Sequence, residues 1–204
     1  MNTVRPSTRA FAVAFAVAGV LGAAAAPATA DPAQRSGQVE CRGEGVDAKA
    51  LIRYRTDVVI NAPLSTVWNL QTDVERWPSW QPPVKTLERL EPGPLRRGSS
   101  FRWTTPAPPT PTTPETTLTI TSKVGQIRNQ VCVLWRGPAV GDGLSIDEGV
   151  HVWTFTEVEG GVRVRTEETW TGDQVEADVP TATRYLGWGL EEWLTNFKTT
   201  AEAC

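Results

Sequence analysis

Histidine occurs once in these 204 residues and cysteine three times. One imidazole, His151, and three dispersed thiols cannot assemble a Cys/His metal centre. The Asp and Glu residues show no calcium-loop spacing either. Basic runs are also missing. The 20 Lys and Arg are outnumbered by 23 Asp and Glu, and no basic stripe or helix–turn–helix pattern appears. That excludes nucleic acid and anionic lipid surfaces as partners. Gly98-Ser99-Ser100 and Gly143-Leu144-Ser145 lack the Gly-x-Ser-x-Gly frame of an esterase elbow. No Gly-Lys-Ser/Thr follows Gly141-Asp142-Gly143, so that segment is a turn and not a phosphate loop. No pattern calls for a metal or an organic cofactor.

The apolar run from Phe11 to Ala26 stands behind Arg5 and Arg9 and ahead of Ala28-Thr29-Ala30. This is the pattern of a secretory signal peptide over residues 1–30, cleaved after Ala30. The run is too short, and its downstream flank too polar, for stable membrane insertion. No Cys follows the cleavage site and no twin-Arg pair precedes the run, which favours the general secretory route. The expected destination is the secreted or cell-envelope space. Cleavage leaves 174 residues with 18 basic and 23 acidic side chains, a net charge of −5. A chain of that length is one domain that buries roughly 70% of its unfolded surface.

Residues 31–50 are polar and Gly-rich and read as a flexible arm, with the folded domain over residues 51–204. Strands are expected at 51–60, 84–90, 99–105, 118–124, 131–135, 144–157 and 162–170, from alternating apolar residues. A helix over 66–72 follows the first strand, and Gly160-Gly161 marks a hairpin turn. The stretch 104–117 holds five Pro and seven Thr. It is expected to stay out of any sheet ladder as a stiff loop between two strands. A last helix over 180–201 carries Leu186, Leu190, Trp193, Leu194, Phe197 and Ala201 at three- and four-residue steps. Cys132 sits in an apolar run and reads as a buried free thiol. Cys41 and Cys204 flank the domain, and a Cys41–Cys204 disulfide is the expected pairing.

Nine Trp occur in the chain, and four of them can be placed on strands. The densest signal is Val58–Val84: an apolar strand, Ala62-Pro63, a helix with Val67 and Trp68, then Asp73, Trp77-Pro78, Trp80 and Pro83. Later come His151-Val152-Trp153, Gly160-Gly161, Thr166-Glu167-Glu168, Gly172, and a helix ending Phe197-Lys198 and Ala201-Glu202. In order and spacing these residues resemble the START-like (SRPBCC) superfamily, and within it the polyketide cyclase/dehydrase branch. The resemblance runs from about Arg53 to Cys204. It implies an α+β helix-grip fold: a curved antiparallel sheet of about seven strands around a long C-terminal helix, with two short helices after the first strand and a cavity between sheet and helix. It implies little about reaction, since such folds serve carriers, cyclases and other roles.

Strand alternation puts His151, Trp153 and Phe155 on one face, and Val164, Glu168 and Trp170 on one face of the next strand. Counted out from the Gly160-Gly161 turn, His151 and Glu168 stand opposite each other. Three readings stay open. The pair is a general acid and base inside an apolar cavity, it is a structural pair at the rim, or His151 lies on the outer face. The aromatic set Trp103, Trp135, Trp153, Phe155, Trp170, Tyr185 and Trp188 is either the lining of a ligand pocket or the packing of a large core. Three functions follow. The chain is a secreted binder of a small hydrophobic ligand, aromatic or lipid-like; a cofactor-free cyclase/dehydratase using Glu168 and His151; or an exported structural domain without a ligand.

Overall fold

A computed structural model of the chain describes residues 39–111 and 113–204. The expected leader, its cleavage site and the start of the arm lie outside the described residues. Seven strands follow in chain order: β1 (Ile52–Ile60), β2 (Thr86–Arg89), β3 (Ser100–Ala107), β4 (Thr116–Arg128), β5 (Cys132–Gly141), β6 (Leu144–Val158) and β7 (Gly161–Thr171). They form one antiparallel sheet in the order β1-β7-β6-β5-β4-β3-β2. Helix α1 (Leu64–Thr72) and a 3-10 turn (Val74–Ser79) join β1 to β2. A short helix α2 (Asp173–Glu176) leads from β7 into the long helix α3 (Val179–Glu202). This is the expected helix-grip arrangement; α2 was not anticipated. No described helix is long and apolar enough to cross a membrane.

Register follows the alternation read from the sequence. Thr56, Val58 and Ile60 of β1 stand opposite Thr166, Val164 and Val162 of β7, all on the concave face. The sheet curls where β4 loses register with β5, between Val124 and Gln126, and where β5 loses register with β6, between Gly137 and Ala139. Such bulges bend a ladder. Gly137 is required there: its φ is +154°, and a Cβ would lie 1.9 Å from the Thr121 carbonyl oxygen.

Helix α3 lies in the concave face. Its start is fixed by Asp178, whose side chain accepts from the Thr181 N–H at 3.1 Å, and by Pro180 in the first turn. Such a cap satisfies an orphan donor, and Pro is tolerated there. The helix passes close over β1 because residue 187 is Gly; a Cβ there would sit 2.7 Å from the Tyr54 ring. The C-terminal half of α3 packs with α1 and the 3-10 turn into a dense core. Trp77 is its hub, with rings of Phe101, Trp103, Trp135 and Trp193 at centroid distances of 4.8–5.8 Å. The N-terminal half of α3, through Leu186 and Leu190, meets a second cluster containing Ile52, Leu118, Ala139 and Ile146.

Two expectations need correction. The disulfide joins Cys41 to Cys132, with Cα atoms 5.3 Å apart, and Cys204 is an exposed free thiol. The physical reason is alternation. Val133 and Trp135 point into the concave core, so Cys132 and Leu134 face the convex side. Residues 39–50 return over that side, and Val39 and Cys41 bury there against Leu134, Val150 and Val152. The arm is thus anchored over its described part. Beneath it the buried Glu167 pairs with Arg53 and accepts from the Val39 N–H at 3.4 Å.

The Pro/Thr stretch also joins the ladder at both ends. Pro106 pairs with Thr117, and Ala107 with Thr116. Pro lacks the amide proton, but β2 pairs with β3 only as far as Thr104. Pro106 therefore sits on an edge, where Pro is tolerated.

Candidate functional site

Between the N-terminal half of α3 and the sheet lies a cavity of about 510 Å³. It exists because the dense aromatic core fills only one end of the curl. At the other end Ala182, Leu186, Gly189 and Leu190 of the helix line the cavity. Strands β3 to β7 form its wall, and Pro108, Thr110 and Thr113 border it as well. The Tyr185 hydroxyl donates to the Pro109 carbonyl at 3.1 Å, tying that loop to α3. The volume is that of an ordinary small-molecule site.

The wall carries one buried polar pair. His151 on β6 stands opposite Glu168 on β7, and Nδ1 lies 3.1 Å from a Glu168 carboxyl oxygen. Their side chains keep only 12% and 18% exposure, and both border the cavity. His151 Nε2 is 2.6 Å from the Thr166 hydroxyl, and Trp170 Nε1–H donates to the other Glu168 oxygen at 2.8 Å. Burial disfavours charge on both groups. It pushes the Glu168 carboxyl up to about 7, against a smaller lowering by the Trp170 N–H. It pulls the His151 imidazole down to about 3. Between about pH 3 and pH 7 the pair is therefore uncharged, with one hydrogen bond between carboxyl and imidazole.

His151 and Glu168 stand opposite each other as expected, whereas the expected aromatics divide. Trp103, Trp135, Trp170, Tyr185 and Trp188 all border the cavity. Trp188 is 56% exposed at the rim, its ring 5.2 Å from that of Tyr185. Trp153 and Phe155 do not border the cavity. Trp153 is fully buried, wedged between His151 at 4.7 Å and Trp193 at 6.2 Å. Phe155 packs edge-on against Trp68 of α1 at 5.3 Å. Both share the inward face of His151, but further along β6, where α1 and the C-terminal half of α3 close the curl. Cavity residues not singled out before include Gln81, Leu118, Ile120 and Ser122. Thr166 was also missed as the partner of His151, although its alternation with Glu168 was legible. No group of three or more His, Cys, Asp or Glu poised to hold a metal occurs among the described residues.

The family described as polyketide cyclase / dehydrase and lipid transport matches residues 52–202. No curated protein matches the chain in sequence. Among solved structures, a START superfamily protein from Mycobacterium smegmatis is similar at 13% identity and a TM-score of 0.57, covering 74% of this chain and 97% of that one. A protein from Thermus thermophilus is similar at 17% identity and a TM-score of 0.57, with the same coverages. The Zhui aromatase/cyclase from a Streptomyces species is similar at 16% identity and a TM-score of 0.53, covering 74% of this chain and 93% of that one. At these identities the likeness is one of fold.

Proposed function

We propose, from the premise that this chain belongs to the polyketide cyclase/dehydrase and lipid transport family, that it is an exported binding protein for a small hydrophobic molecule, aromatic or lipid-like. The cavity of about 510 Å³ carries this reading. Its walls are mainly aromatic and aliphatic, so a ligand gains roughly 25 cal/mol for each Å² of apolar surface removed from water. Export is supported by the leader pattern and by the Cys41–Cys132 disulfide, because such bonds persist in oxidising compartments.

The test is titration with a neutral apolar fluorophore such as pyrene. Wild-type protein is expected to bind it and transfer Trp excitation to it. Ile120 is half-buried on β4 and borders the cavity. Ile120→Trp fills space that is empty, so it is expected to weaken pyrene binding at least tenfold with little change in thermal midpoint. Equal binding by the variant would refute the site.

The contact between Glu168 and His151 on the cavity wall favours a second reading, a cofactor-free cyclase/dehydratase. A carboxyl that keeps its proton to about pH 7 can protonate a leaving hydroxyl, as a dehydration requires. Affinity retained with turnover abolished in Glu168→Gln would favour it. The volume of the cavity and its polar pair argue against a ligand-free structural domain.

A further inference from the structure

Hydrogen bonding at the polar pair narrows what the cavity accepts. If Glu168 holds the proton, its O–H donates to His151 Nδ1, and Nε2–H donates to Thr166 Oγ1. If Glu168 is ionised, Nδ1–H donates to the carboxylate and the Thr166 hydroxyl donates to Nε2. In both cases Trp170 Nε1–H is taken by the second carboxyl oxygen. Either way every donor of the pair is spent within the wall. What remains toward the cavity is carboxyl lone pairs, which are acceptors only. A ligand's carbonyl or carboxylate finds no donor at this pair, whereas an ammonium or hydroxyl finds its complement.

Charge separates those two. Asp178 and Glu192 stand with Glu168 among the lining residues. Arg136 is the one Lys or Arg among the described lining residues, and its guanidinium turns to Glu44 of the arm at 3.7 Å. At the rim the Arg184 guanidinium lies 5.6 Å over the Trp188 ring and, after the Thr181 hydrogen bonds, favours the ionised form of Asp178. Arg184 is not a lining residue. Glu168 is engaged by His151 and Trp170 and by no described Lys or Arg, and the walls are aromatic faces, which attract cations. We infer that the preferred ligand is an amphiphilic amine, its apolar body in the aromatic cavity and its ammonium on the Glu168 carboxylate. This rests on the binding-protein reading above and specifies the ligand of that same site.

The amine must hold Glu168 ionised. The groups facing Glu168 are His151 on β6 and Tyr54 on β1, which is paired opposite it. The Tyr54 hydroxyl donates to Glu191 of α3, and Asp178 and Glu192 lie on α3 and at its start. Of these, Glu168 is the group whose ionisation spans neutrality, raised to about 7 by burial. His151 is lowered to about 3 and stays neutral there. Proton competition for Glu168 then weakens amine binding about tenfold from pH 8 to pH 6.

The experiment compares three probes on one ring by calorimetry at pH 8: 2-(1-naphthyl)ethylamine, 2-(1-naphthyl)ethanol and 1-naphthylacetate. Pyrene serves as the uncharged reference. The expected order is amine, then alcohol, then carboxylate, with at least tenfold at each step. Glu168→Gln is expected to erase the amine's advantage over the alcohol. If that variant fails to fold, the tenfold pH dependence of the amine in wild-type protein, absent for the alcohol, decides the matter. Pyrene binding without an amine preference, or a carboxylate that binds best, overturns this inference and leaves the cavity reading standing. Failure of all four probes overturns both.

Discussion

The most discriminating perturbation is Glu168→Gln, read as stability against pH. The substitution keeps the shape of the side chain and its partners but removes its ionisation. In the folded protein burial raises the Glu168 carboxyl from 4.5 to about 7. The folded state therefore binds more protons than the unfolded chain between those two values. Stability from this group is fully present below about pH 4.5 and is lost as pH rises through about 7. A gap of that width is worth on the order of 3 kcal/mol, at about 1.4 kcal/mol per pKa unit. His151 acts in the opposite sense. Its depressed value of about 3, against 6.5 when unfolded, makes stability rise with pH between those limits. That contribution is common to both proteins and cancels in their difference. Urea unfolding of the disulfide-intact protein, followed by far-UV circular dichroism from pH 4 to pH 8, measures the difference. Wild type and variant should match near pH 4, and the variant should be more stable by on the order of 3 kcal/mol at pH 8. A carboxylate–imidazolium ion pair would give the reverse, with wild type gaining over the variant as pH rises from 4. That result, or a flat difference, refutes the neutral pair.

Two further outcomes follow from packing and from the cross-link. Leu190 is buried on α3, and Leu190→Ala should destabilise by about 2–5 kcal/mol in chemical unfolding. The lower end is expected because the side chain borders a cavity that already exists; a loss under about 1 kcal/mol would contradict the helix grip. Thiol titration of denatured, unreduced protein should find one free thiol, and peptide mapping should find Cys41 joined to Cys132; a bridge containing Cys204 would contradict the arm's position on the convex face.

Much of this was legible because alternation is a local property. The inward sets Val162–Val164–Thr166–Glu168–Trp170 and His151–Trp153–Phe155 follow from a period of two and a turn at Gly160-Gly161. That was enough to place His151 opposite Glu168. It was not enough to separate Trp135, which borders the cavity, from Trp153, which does not. Both face inward, and the difference lies in where α1 and α3 end above them. That is a matter of helix placement and not of strand pattern. The disulfide was misread for a related reason. The apolar neighbours of Cys132 suggest a free core thiol, although the same alternation puts it on the face opposite Trp135. Nothing local in the Gly-rich arm said that it returns to cover that face. Pro106 was kept out of the ladder by its chemistry. Its tolerance there depends on where β2 ends, a tertiary fact.

The bridge between Cys41 and Cys132 spans 91 residues, and that span includes both edge strands of the sheet, β1 and β2. In the chain-entropy picture a closure of that length contributes about 4–5 kcal/mol. Its topological effect is separate. β1 lies at the edge, joined to the sheet only through β7, and an edge strand ahead of a connecting helix is the kind of element that two copies of a chain can exchange. With Cys41 fastened to β5, β1 is held between two fixed points of its own molecule. Strand exchange between copies must then draw the anchored arm off the convex face as well. Oxidation thus ties the first strand to its own molecule through the arm as well as through β7.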